Sequence, residues 1–333
     1  MDIIGRGSLV RLGEQMRAGE EVVVFTRESI VKRHGKLLNE QLAQVHPLYY
    51  TAIEPNPTRE QVADAQRVLG GKSPAYLVAI GGGSVLDFAK AWRHYEGSSA
   101  PLIAVPTTAG TGSEATQFAV IYINGSKVSL DSPELLPEVA IIDSALTEAA
   151  PRSLKASCAM DAYCQAIESY WARAATEESR AYALEAIALC REYLVAAVNS
   201  TEAYANEQLA RASHMAGKAI NISRTTAAHA LSYRITSQYG VPHGHAVALS
   251  IAGLFEKNMT AIPDLPRLLA AMGIEADGVR EHFDKLMHAI GLAASTAALG
   301  ITNVEELADA VNPQRLANNP ILLSRDDLVE ILH

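Results

Sequence analysis

Four polar residues in the second half of the chain have types and spacing that suit a metal ion. Asp161 and Gln165 stand four apart in a helix-prone run, so they share a helix face. His229 begins another helical run, and His243 follows Pro242 in Val241-Pro242-His243-Gly244-His245. Carboxylate and imidazole are good donors for Zn(II) or Fe(II), and an ion so held polarises a carbonyl oxygen. Taken singly, an Asp or a His in such a setting is more often a capped or hydrogen-bonded structural group. Spacing alone leaves both readings open.

Two loops in the first half suit a nucleotide. Ile80-Gly81-Gly82-Gly83-Ser84 lies between an apolar run and a helical one that carries Asp87 and Lys90. Successive glycines let backbone N–H groups approach a pyrophosphate, and the helix start adds partial positive charge. Pro106-Thr107-Thr108-Ala109-Gly110-Thr111-Gly112-Ser113-Glu114-Ala115-Thr116 follows the next apolar run and is rich in hydroxyl donors. Alone, the first is a tight turn and the second a polar loop. Together, after successive strands on one sheet edge, they favour dinucleotide binding.

The elements that must position these groups come in two kinds. Apolar runs at 22–25, 49–53, 76–80, 102–105 and 139–142 alternate with helical stretches near 28–43, 58–70 and 84–95. Such alternation predicts an α/β unit with a mainly parallel sheet buried on both faces. Residues 118–131, with Asn124-Gly125 at their centre, predict a hairpin added to that sheet. From Arg152 to Ala216 the 65 residues contain neither Gly nor Pro. They predict long helices opened by Pro151. The remainder predicts further helices broken at Gly217, Gly240 to Gly244, and Pro263 to Pro266. The expected division is a dinucleotide-binding α/β domain over 1–150 and an all-helical metal and substrate domain over 151–333.

Composition narrows the partners. The 333 residues carry a formal net charge of -9 and no Lys/Arg cluster, which argues against nucleic acid and against an anionic membrane surface. No apolar run approaches the ~20 residues of a membrane-spanning helix, and the N-terminus lacks the pattern of a signal peptide. Three cysteines without CxxC spacing suit a reducing compartment. The expectation is a cytoplasmic protein with a small-molecule ligand.

In order and spacing these motifs resemble the iron-containing (group III) alcohol dehydrogenases. The resemblance runs from Gly5-Arg6-Gly7 through Glu54-Pro55-Asn56-Pro57-Thr58, the triple-glycine loop, Pro106 to Thr116, Ala212 to Gly217 with Asn221, and His229 to His243, to about Leu254. It implies the dehydroquinate synthase-like fold, with an α/β dinucleotide domain before an all-helical metal domain, and it allows a homodimer. It carries cofactor contacts onto Arg27, Asn56, Gly81, Gly82, Gly83, Ser84, Asp87, Thr107, Thr108, Thr111, Lys127 and Leu154. It carries a divalent Fe(II) or Zn(II) site onto Asp161, Gln165, His229 and His243.

Three departures from the family pattern matter. Gln165 stands where the family has a histidine, and the amide carbonyl is the weaker ligand. The family's frequent second histidine, four after His229, is Tyr233. At the end of the second strand, Arg27 replaces an aspartate that would hold a ribose 2′-hydroxyl. An arginine there accepts a 2′-phosphate and favours NADPH over NADH.

The run Gly217 to Tyr233 places Lys218, Ser223, Arg224 and Thr225 just ahead of His229, as cations and hydroxyls suited to a phosphonate or phosphate. With Gln165 to Trp171, this run looks like the phosphonoacetaldehyde reductase branch. The activity implied is reversible NAD(P)H-dependent reduction of a small anionic aldehyde, phosphonoacetaldehyde to 2-hydroxyethylphosphonate first among them. Asp161, His229 and His243 serve the metal, and Tyr233 or His245 the proton route. The alternatives are a general short-chain alcohol dehydrogenase, a synthase of the dehydroquinate type, and a nucleotide-binding relative that has lost its metal.

Overall fold

Runs of Val, Ile and Leu, whose exposure to water is unfavourable, set the architecture of the first unit. The structure is a computed structural model that describes residues 1–333. Its chain divides into two units, Met1–Thr108 with Gly112–Ala149, and Ala109–Thr111 with Ala150–His333.

In the first unit the elements are β1 (Asp2–Ile4), β2 (Glu21–Phe25), α1 (Glu28–Gln41), β3 (His46–Tyr50), α2 (Arg59–Leu69), β4 (Tyr76–Gly81), α3 (Gly83–Glu96), β5 (Leu102–Pro106), β6 (Phe118–Ile123), β7 (Ser126–Asp131), β8 (Val139–Ile142) and α4 (Ser144–Glu148). Six strands form one sheet in the order β1-β8-β5-β4-β2-β3. Every pair in it is parallel. Alternate residues feed two apolar cores. Val23, Phe25, Leu77, Ala79, Leu102 and Ala104 face one; Val22, Val24, Val78, Ile80, Ile103 and Val105 face the other. A sheet buried on both faces reads in sequence as continuous apolar runs, which is why the central strands are legible.

The edges differ from expectation. β3 begins at His46 and ends at Tyr50, not at 49–53, and its first three residues are exposed. It is an edge strand, where Pro47 is tolerated and apolar continuity is not required. The three-residue β1 is too short to leave a sequence pattern. The hairpin forms as predicted at Asn124-Gly125, both with positive φ. However, β6 and β7 make their own two-stranded sheet instead of extending the large one. β6 packs on α3.

Lys90 explains how the second polar loop is held. It is fully buried in α3, and its Nζ donates to the carbonyls of Ser113 (2.5 Å), Thr116 (2.8 Å) and Phe118 (2.8 Å) and to two hydroxyls. Burial pushes the ammonium down to about 8, against the opposing pull of Asp87 and Glu114. Asp87 accepts from Ser113 Oγ (2.7 Å) and Val120 N (3.1 Å), so its two oxygens brace the loop and the strand β6 that follows it.

The second unit is helical: α5 (Arg152–Trp171), α6 (Glu177–Asn199), α7 (Ala203–Ser223), α8 (Ala227–Tyr239), α9 (His243–Asn258), α10 (Leu265–Met272), α11 (Val279–Ile290), α12 (Val304–Asp309), α13 (Pro313–Leu316) and α14 (Arg325–Leu332). α5 is buried along nearly its whole length. It packs against α6, α7 and α9, so a helix apolar on all sides is accounted for. No helix is long and apolar enough to cross a membrane.

Lys90→Met would leave those carbonyls and the Asp87 carboxylate without their buried cation. It should lower unfolding stability by about 3–5 kcal/mol, read as a shifted denaturant midpoint. An unmoved midpoint would mean that the ammonium does not pin the loop.

Candidate functional site

The carboxyl edge of the parallel sheet gathers the predicted nucleotide contacts of the first unit. The chain turns from β2 outward to β3 and then returns to β4 on the other side of β2. The crevice between β2 and β4 is therefore the switch point at which such sheets bind ligands. Thr26 Oγ1 closes its floor by donating to the Ile80 carbonyl at 2.8 Å. Arg27 flanks one side, half-buried at the start of α1, and Gly81 to Ser84 flank the other.

β4 and β5 end side by side, with Gly81 opposite Pro106. Thr107 N donates to the Gly81 carbonyl at 2.9 Å. A Cβ at Gly82 would press on Thr108 at 3.3 Å, so the loops touch closely. No side chain caps α3 at Gly82, which leaves its first N–H groups for a ligand. Asn56 sits in the left-handed region before α2. Lys127 is half-buried on β7. Thr111 and Leu154 belong to the second unit, Leu154 exposed on the first turn of α5.

Within the second unit, three of the four predicted metal ligands meet. Asp161 lies in the middle of α5, His229 in the first turn of α8, and His243 at the first position of α9. One ligand atom from each lies within 4.8 Å of the other two. His229 Nε2 is 3.3 Å and His243 Nε2 3.9 Å from Asp161 Oδ1.

Gly244 permits this approach. A Cβ there would strike the Ser157 carbonyl oxygen and stand 2.7 Å from Asp161 Cβ. Ser232 Oγ donates to the His229 carbonyl at 2.8 Å and lies 3.3 Å from His243 Nδ1. With its proton so committed, the hydroxyl oxygen accepts from Nδ1–H, and His243 Nε2 keeps its lone pair for an ion. Gln165 Nε2 donates to the Gly110 carbonyl at 2.8 Å. That leaves Oε1 as the end of the amide that is able to ligate.

The residue that sequence reasoning passed over is Glu168. It is fully buried, seven residues after Asp161 on the same helix stripe. Its Oε1 accepts from Thr226 N (3.1 Å), Thr226 Oγ1 (2.7 Å) and Ala228 N (2.8 Å), and its Oε2 pairs with His229 Nδ1. Glu168 thus caps α8 from a neighbouring helix and fixes the His229 ring at the same time. Burial alone would lower the His229 pKa. The charges of Glu168 and Asp161, and their hydrogen bonds, hold it up to about 9. A cation arriving at Nε2 therefore competes with a proton. The i, i+4, i+7 spacing of Asp161, Gln165 and Glu168 was the available signal.

Other expectations are corrected. Ser223 is fully buried, with its Oγ 2.7 Å from Ser169 Oγ and 3.1 Å from the Ala219 carbonyl, so its hydroxyl ties α7 to α5. His245 is buried, and its Nε2 lies 2.8 Å from the Ala293 carbonyl, which occupies that nitrogen. Lys218 sets its ammonium over the Tyr182 ring. Arg224 ends α7, with a positive φ of 65° and with Nη1 on the Asn221 carbonyl. It does not begin α8, which starts three residues later. Thr225 lies half-buried between the two helices. Tyr233 stacks nearly parallel to His243, at 6° with ring centroids 6.2 Å apart.

Residues 2–144 match the family described as iron-containing alcohol dehydrogenase, and residues 155–333 its C-terminal counterpart, the Fe-containing alcohol dehydrogenase family. The NAD-dependent methanol dehydrogenase of Bacillus methanolicus is 31% identical over 78% of this chain and 74% of its own. The phosphonoacetaldehyde reductase of Streptomyces viridochromogenes is 30% identical over 83% of this chain and 80% of its own. Sulfoacetaldehyde reductase from Bifidobacterium kashiwanohense, solved with NAD+, superposes with a TM-score of 0.89 at 28% identity, covering 100% of this chain and 96% of that one.

Glu168→Gln keeps an acceptor for α8 and removes the charge behind His229. Metal affinity, measured by competition with a chelator, should fall about 10- to 100-fold with helicity unchanged. Unaltered affinity would reduce Glu168 to a helix cap.

Proposed function

The chain belongs to the iron-containing alcohol dehydrogenase family, and from that premise we propose that this NAD(P)-dependent oxidoreductase reduces a small anionic aldehyde to its alcohol. Phosphonoacetaldehyde, giving 2-hydroxyethylphosphonate, is the first-choice substrate. The observation that carries the catalytic reading is the convergence of Asp161, His229 and His243 from three helices, with Glu168 buried behind His229.

Two imidazoles and one carboxylate at this spacing fit a divalent first-row ion. Fe(II) or Zn(II) bound there would polarise a carbonyl oxygen as a Lewis acid. Gln165 would add a neutral and weaker fourth donor. Glu168 and Ser232 orient the two rings so that each presents Nε2. A nicotinamide cofactor held at the glycine and threonine loops would supply the hydride for the carbonyl carbon, and the oxygen would take a proton. Tyr233, beside His243, is a protein candidate for relaying that proton.

The preference for an anionic aldehyde draws support from two relatives. Phosphonoacetaldehyde reductase and sulfoacetaldehyde reductase are both named for a two-carbon aldehyde that bears an oxyanion. A general alcohol dehydrogenase is the second reading, favoured by the likeness to methanol dehydrogenase.

For the cofactor, Arg27 supports NADPH. Its Nε is buried without a hydrogen-bond partner at the crevice. Burial lowers its pKa, and the Glu54 charge nearby raises it. A 2′-phosphate would supply the missing acceptor, while Glu54 tempers the preference.

Two measurements check these proposals. The ratio of kcat/KM on phosphonoacetaldehyde to that on butanal should be well above one. Equal values would leave the general alcohol dehydrogenase. Arg27→Asp should move the NADPH/NADH ratio towards NADH by roughly ten- to a hundredfold, and an unmoved ratio would place Arg27 outside the cofactor site.

A further inference from the structure

One cation approaches the candidate metal ligands from a part of the chain where no motif pointed to chemistry. Arg315 lies in α13, which packs on α8. Its Nη1 donates to the Tyr233 hydroxyl at 2.8 Å, and its guanidinium carbon stands 4.6 Å from the centroid of the Tyr233 ring. The same ring stacks with His243. A single tyrosine thus separates a guanidinium from a proposed metal ligand.

The segment around Arg315 is firmly placed. Asn319 and Asn258, both fully buried, exchange two amide hydrogen bonds at 2.8 and 3.1 Å, which pins the segment to the end of α9. Asn318 Nδ2 donates to the carbonyls of Ser223 (2.8 Å) and Thr225 (3.0 Å), on either side of Arg224. Arg224 holds φ 65° and ψ 174°, a region other residues than glycine rarely enter. The Asn318 clamp keeps that junction in place.

The charge on Arg315 is not spent within the protein. Arg234, on the turn after Tyr233, pairs with Glu306, and Arg325 pairs with Asp309. Arg315 is half-buried and meets only the neutral phenol and its ring. A guanidinium partly removed from water, without a carboxylate, is matched by a planar-bidentate oxyanion. Nε and Nη2 remain as donors for one. Arg224, the cation singled out by sequence position, instead has Nη1 on the Asn221 carbonyl.

We propose that Arg315 is the residue that recognises the oxyanion of the substrate, with the Tyr233 ring setting the distance between that group and the aldehyde carbon. This deepens the anionic-aldehyde reading and rests on it. It assigns specificity to the C-terminal segment and makes Arg224 part of the scaffold.

The test compares the wild-type enzyme with Arg315→Gln and Arg315→Lys on phosphonoacetaldehyde and on propanal. Metal content and thermal unfolding of each protein establish that fold and site persist. Methylphosphonate serves as a dead-end inhibitor of propanal reduction. Arg315→Gln should lose about 100-fold in kcat/KM on phosphonoacetaldehyde, mostly through KM, and little on propanal. Inhibition by methylphosphonate should weaken in parallel. Arg315→Lys, which restores charge without the fork, should recover part of both.

A wild-type preference for the phosphonate that survives in Arg315→Gln would overturn the role of Arg315 alone. Equal loss on both aldehydes would also overturn it, by making Arg315 a support for Tyr233 and His243. A wild-type enzyme indifferent to the charge would overturn the anionic-aldehyde reading itself.

Discussion

The Glu168 carboxylate is the interaction on which the second unit's site depends. A fully buried anion with no lysine or arginine beside it would be prohibitive in an apolar helix bundle. Here α8 begins against it, and the first N–H groups of that helix, the Thr226 hydroxyl and the His229 ring all converge on its two oxygens. The orphan donors of a helix start and the positive end of its dipole thus compensate the charge. One residue on α5 fixes where α8 begins, how it is oriented and which imidazole nitrogen is presented. Asp161 sits on the same helix, so the spacing between carboxylate and imidazole is inherited from a single rigid element.

A comparable economy operates in the first unit. Lys90 gathers the carbonyls of Ser113 and Thr116 in the loop after β5 and of Phe118 at the start of β6. That loop leaves β5 alongside the glycine turn of β4, and Thr107 ties the two together. Backbone donors can be offered to a phosphate only if the backbone is held still. A buried ammonium does this without closing the sheet edge. Arg27 and Gly81 then face each other across the switch point because the strand order puts β2 next to β4.

What was legible in the sequence follows from burial. Strands covered on both faces, such as 76–81 and 102–106, announce themselves as apolar runs, whereas edge strands do not. Hence β3 is displaced from its expected span and β1 has no visible signal. The Asn124-Gly125 turn was readable from backbone preference alone, but whether its hairpin joined the large sheet depended on packing against α3. At the site, Asp161, His229 and His243 were found by residue type and family pattern. Glu168 and Arg315 were harder. Each works through a contact between distant segments, 58 residues apart for Glu168 and Thr226 and 82 for Arg315 and Tyr233. Ser223 and His245 show the converse: a polar side chain near a ligand in sequence can spend hydrogen bonds inside the core.

The chain contains two tryptophans, and the fold has given each a separate post. Trp92 is buried in the apolar core of the first unit with Phe25 beside it. Trp171 ends α5, and its indole N–H donates to Thr226 Oγ1, the same hydroxyl that donates to Glu168. Indole emission shifts with the polarity and hydrogen bonding around the ring. The protein therefore carries a built-in optical gauge for each unit: one fluorophore registers the integrity of the sheet core, while the other is wired by two hydrogen bonds to the carboxylate behind His229. Removing one tryptophan at a time would let loosening of the helix start at the site be followed apart from melting of the sheet, in unlabelled protein and without any turnover.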